Sequence, residues 1–88
     1  MSKRFKEVAE FLRQSRTNAG LSQVEVSSTL GYHSSQFVSN WERGIAAPPM
    51  FIVKKLAKLY GISDEKLFKM ILSDLEAQMR KEFKRGSA

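Results

Sequence analysis

Four hydrogen-bonding side chains recur at helical spacing in one short segment. Gln36, Ser39, Asn40 and Arg43 fall at i, i+3, i+4 and i+7, the interval that lines up one face of an α-helix. None is acidic. Such a stripe suits the reading of polar edges better than the breaking of bonds: Gln and Asn amides pair bidentately with adenine, and a guanidinium pairs with guanine or with phosphate. A merely solvated helix face has the same pattern, so spacing alone leaves both readings open. Catalysis has less to build on. There is one histidine, His33, no cysteine, and no clustering of acids and bases of the kind that catalysis needs. No enzyme activity, metal or cofactor is expected.

The elements that must position the stripe are all helical. Phe5, Val8, Phe11 and Leu12 set a first helical period that stops at Asn18-Ala19-Gly20. Ser22 with Glu25 forms a capping box, and Gly31 supplies a stop, which predicts a short second helix over about 23–30. Ser34 or Ser35 then caps a third helix over about 35–43, ended by Gly44. On its other side Phe37, Val38 and Trp41 are expected to anchor in the core, with Trp41 a core residue rather than a base-stacking platform. The stiff Ala46-Ala47-Pro48-Pro49 connection leads to a fourth helix. Ile52, Leu56 and Leu59 face inward, Lys54, Lys55 and Lys58 face outward, and Gly61 ends it. Ser63, with Asp64 and Glu65 behind it, opens a fifth that meets no breaker before Gly86. No strand-like alternation or internal repeat appears. The fold class is all-α: a compact five-helix domain with an extended C-terminal helix.

Eighty-eight residues close one core at most. Lys and Arg outnumber Asp and Glu 15 to 9, giving a net charge of +6, which favours a polyanionic partner. The surplus lies in the first two thirds, where residues 1–62 hold nine basic and four acidic side chains. Without cysteine there is no disulfide or thiolate metal site. No stretch approaches the roughly 20 apolar residues of a membrane span. A soluble cytoplasmic protein is expected.

Gly20-Leu21-Ser22-Gln23-Val24-Glu25, then Leu30-Gly31-Tyr32, then Val38-Ser39-Asn40-Trp41-Glu42-Arg43-Gly44 resemble, in order and composition, the helix-turn-helix of the Cro and cI phage repressors, the XRE-type family. The resemblance covers about residues 5 to 67 and implies a transcriptional regulator that binds double-stranded DNA. It places Gln23 on a phosphate at the start of the second helix. Ser35, Gln36, Ser39 and Asn40 fall where the family reads bases, with Gln36 and Asn40 the foremost. Tyr32, His33, Ser34 and Arg43 are expected along the DNA backbone, although His33 can equally be a plain exposed turn residue. Arg16 and Glu42 match a family ion pair that orients the third helix. Two features depart from the family. The turn after Gly31 is one residue longer, and the loop from Ile45 to Pro49 is apolar, leaving few side chains there for phosphate.

The expected organisation is a DNA-binding domain over residues 1–67, a helical extension over 68–85 and a disordered tail over 86–88. Phe68, Leu72, Leu75, Met79 and Phe83 form an amphipathic stripe longer than one small core needs, which predicts a homodimer. A membrane-surface role is opposed by Glu76 and Glu82, and RNA binding by the lack of an exposed aromatic platform. The leading expectation is a repressor acting by operator occupancy. The alternative is a protein-interaction module, such as a DNA-binding antitoxin whose C-terminal helix holds another protein.

Overall fold

A computed structural model describes residues 4–86. Among them are five helices: α1 (Lys6–Asn18), α2 (Gln23–Thr29), α3 (Gln36–Glu42), α4 (Met50–Tyr60) and α5 (Asp64–Gly86). Their limits follow largely from local chemistry. The Ser22 hydroxyl accepts the Glu25 amide at 3.0 Å while the Glu25 carboxylate accepts the Ser22 amide at 2.9 Å. Both halves of a capping box thus satisfy amides left free by the first turn of α2. Those bonds hold the Glu25 carboxyl below its ordinary pKa. The Ser63 hydroxyl accepts the Lys66 amide at 3.1 Å and opens α5. At the end of α4, Gly61 adopts φ 68°, a left-handed conformation costly to any residue with a Cβ.

The start of α1 is different. Phe5 offers no capping side chain. Instead the Asp74 carboxylate, from α5, accepts the Val8 amide at 2.9 Å, and the Gly44 carbonyl accepts the amides of Arg4 and Phe5 at 3.0 and 3.1 Å. The start of α1 is therefore tied both to α5 and, through Arg4 and Phe5, to Gly44 just beyond α3.

One core joins all five helices. Val8 and Leu12 of α1, Val26 of α2, Val38 and Trp41 of α3, Ile52, Val53, Leu56 and Tyr60 of α4, and Leu67 and Ile71 of α5 are buried together. Burial of side chains of this size stabilises by about 1.5 to 3 kcal/mol each, so a seven-residue helix such as α3, too short to persist alone, is held in place by Val38 and Trp41.

Several sequence expectations need correction. Phe37 is 52% exposed rather than buried. Two turns of helix present only one inner face, which Val38 and Trp41 fill, and Phe37 sits on the shoulder against the Tyr32 ring, 4.7 Å between centroids. Leu59 is only half-buried, and Val53, Ala57 and Tyr60 take up the inner face of α4 beside Ile52 and Leu56. Of the two serines expected to cap the third helix, Ser34 is the one whose hydroxyl accepts an amide, that of Gln36 at 3.3 Å, and the helix begins at Gln36. Gly86 is the last residue of α5 rather than part of a disordered tail; Ser87 and Ala88 lie outside the described residues. As the lack of a breaker predicts, α5 runs unbroken past residue 67, with Ile71 and Asp74 buried against the rest.

Candidate nucleic-acid interface

The inner and trailing sides of α3 are fixed first. Trp41 and Val38 are 2% and 1% exposed, which sets the rotation of the helix. At its last residue the Glu42 carboxylate is buried and accepts three donors: Arg16 Nε at 2.6 Å, Arg16 Nη2 at 3.0 Å and Gln23 Nε2 at 3.0 Å. Arg16 Nη1 also donates to the Leu21 carbonyl at 2.8 Å. A bidentate fork of this kind fixes orientation as well as distance. It ties the end of α1, the turn before α2, the first residue of α2 and the last residue of α3 together. The hydrogen bond to Glu42 raises the Arg16 pKa against the opposing effect of burial, so the guanidinium stays charged. Gln23 is held by Glu42, yet it keeps its carbonyl oxygen and a second N–H to offer outward.

The outer side carries the stripe. Gln36 and Arg43 are exposed, and Ser39 and Asn40 half-exposed. Asn40 Oδ1 accepts Gln36 Nε2 at 3.0 Å and Arg43 Nη2 at 3.1 Å. Three of the four side chains are thus linked, with the Asn40 amino group and the Gln36 carbonyl oxygen still open. Linkage of this type holds side chains near one arrangement before a ligand arrives and lowers the ordering cost on binding.

Around the stripe, Ser35 is half-buried, and Ser34 and His33 are exposed on the turn between α2 and α3. Tyr32 packs inward, its ring edge-on to Trp41 with centroids 6.0 Å apart. The loop after α3 presents Ile45, 52% exposed, and buries Pro48. Sequence reading missed one neighbouring feature. Arg4, Lys6, Lys81 and Arg85 line a cleft of about 340 Å³ together with Gln78, Asp74 and Glu82. Arg4 is bonded through its amide to Gly44, so this cationic cleft adjoins the end of α3. Nothing local marks it, because its cations come from opposite ends of the chain.

A family model described as helix-turn-helix matches residues 12–67, from the middle of α1 through α2, the turn and α3 into α5. The chain belongs to the Cro/cI-type helix-turn-helix family. This helix-turn-helix protein is a DNA-binding transcription regulator, and α2 and α3 are the two helices of its motif. Searches among curated proteins and among solved structures returned no match. Among the described residues of the regulator, no helix is long and apolar enough to cross a membrane.

Proposed function

We propose that this regulator is a sequence-specific repressor that occupies its operator as a homodimer. The observation that carries the reading is the acid-free stripe of Gln36, Ser39, Asn40 and Arg43 on the outer face of a helix whose inner face is locked. In the major groove Gln36 and Asn40 read base edges, with Ser35 and Ser39 beside them. Gln23, His33, Ser34 and Arg43 lie along the phosphates, with Tyr32 packed behind them against Trp41, and the cleft of Arg4, Lys6, Lys81 and Arg85 adds attraction for the flanking backbone. Occupancy of the operator then denies the site to polymerase.

The dimer reading rests on α5. Phe68, Leu72, Leu75, Met79 and Phe83 are 43%, 51%, 39%, 61% and 78% exposed, an apolar face without a partner in one copy. Two copies joined there would give the regulator two α3 helices, one for each half-site of a paired operator. A toxin-like protein bound to the same face is the competing occupant.

The test begins with selection of a preferred duplex from random sequences. Affinities of Gln36→Ala, Asn40→Ala and Gln23→Ala for that duplex and for an unrelated one are then compared at fixed salt. Loss of a base-reading amide lowers the preferred-site affinity by about 1 to 3 kcal/mol and leaves the unrelated one nearly unchanged. Gln23→Ala weakens both. An unchanged ratio for Gln36→Ala and Asn40→Ala would remove α3 as the reading element.

A further inference from the structure

We propose that Phe37 is a specificity-determining residue that contacts the 5-methyl group of a thymine in each half-site. The inference rests on the reading that α3 lies in the major groove and names a base feature that its polar stripe does not detect.

Phe37 belongs to neither the core nor the α5 face. Val38 and Trp41 fill the inner side of α3, and the groove on α5 is walled by Leu72, Leu75, Met79 and Phe83. Phe37 stands on the first turn of α3, 52% exposed, about 100° around the helix from Gln36 and about 60° from Asn40. A helix with its side chains is roughly 10 to 12 Å wide and the groove is about 12 Å wide. A residue on the shoulder of the helix therefore meets the groove wall rather than open water. The first turn of a recognition helix is also the part that reaches base edges. Thymine alone among the four bases projects an apolar methyl there, and an exposed phenyl ring gains by covering it. The ring is already held: it lies against Tyr32 with centroids 4.7 Å apart, and Tyr32 is braced by Trp41. Little side-chain freedom remains to be lost on contact.

The experiment uses the selected duplex with each thymine replaced, one at a time, by deoxyuridine, which removes the methyl and keeps the base pair. For the unaltered protein, one thymine per half-site is expected at which deoxyuridine weakens binding about fourfold, the effect of one buried methyl. Phe37→Ala binds the thymine and deoxyuridine duplexes equally at that position, while Gln36→Ala retains the difference. Photocrosslinking of the unaltered protein to 5-iodo-deoxyuridine at the same position, with the adduct mapped to Phe37, decides the matter without a variant that must fold. Indifference to every deoxyuridine, a difference that persists in Phe37→Ala, or an adduct on another residue overturns the proposal. If the scan is flat while Gln36→Ala and Asn40→Ala still lose discrimination, the thymine contact fails and the groove reading stands. If those two variants lose nothing either, the groove reading fails with it.

Discussion

The Asp74 carboxylate accepts the Val8 amide at 2.9 Å across 66 residues of chain. It caps α1 from another helix, where Phe5, the residue before α1, has no capping side chain of its own. Both groups are buried, so the bond forms where an unpaired amide is costly. The contact also anchors α5 beyond the last apolar core residue, Ile71.

Asp74→Ala is therefore expected to destabilise the protein by about 1 to 3 kcal/mol, the cost of leaving a buried donor unpaired. Asp74→Asn, which keeps an acceptor oxygen, is expected to lose less. Urea denaturation of the three proteins measures this. Equal midpoints would mean that the cap adds nothing to stability.

The fork between Arg16 and Glu42 is withdrawn from water, with side chains 15% and 4% exposed. Breaking it leaves a charge without its partner, so Arg16→Ala and Glu42→Gln are each expected to cost roughly 3 kcal/mol. The double variant Arg16→Met, Glu42→Leu is expected to be more stable than either single one, because no buried charge is left over. Thermal denaturation ranks the three. Affinity for all DNA sequences falls in parallel in the single variants, since the fork orients α3 rather than touching bases. A shift in sequence preference at unchanged stability would contradict that role.

Light scattering of the full chain at tens of micromolar, a concentration chosen to capture association of moderate strength, is expected to give a dimer. Leu75→Asp combined with Met79→Asp places two charges on the exposed face of α5 and is expected to give a monomer with the same helical content. A monomeric unaltered protein would leave the face to another partner, and co-purification with a neighbouring small protein would favour the antitoxin reading.

Tyr60 is 7% exposed. Burial, assisted by the nearby Glu42 and opposed by Arg16, pushes its phenol pKa well above the ordinary value. A folded-state pKa raised above the unfolded one contributes stability that is complete below the unfolded pKa of about 10 and is lost as pH rises beyond it. Stability is expected to fall on the alkaline side of that value, and Tyr60→Phe is expected to flatten the decline. The comparison is the slope of unfolding free energy against pH above 10 in the two proteins. Identical slopes would assign the alkaline loss to other groups.

Local chemistry along the chain was enough for whatever depends on neighbours a few positions away. Ser22 with Glu25, Ser63, Gly31, Gly44 and Gly61 delimit helices because caps and left-handed glycines act within a turn. The stripe from Gln36 to Arg43 was legible because helical period alone puts those residues on one side, and the match between motif order and the Cro/cI pattern identified the family. Tertiary structure decided which side chains are covered and which distant groups meet. Phe37 has the residue type and spacing of a core position, yet the inner face of a two-turn helix has room for only Val38 and Trp41. Gln23 has no local reason to bond Glu42, nor Asp74 to cap Val8, nor Arg4 and Arg85 to share a cleft. Each of these pairings depends on how helices cross around one core, an arrangement set by the packing of many side chains at once and carried by no single stretch of the chain.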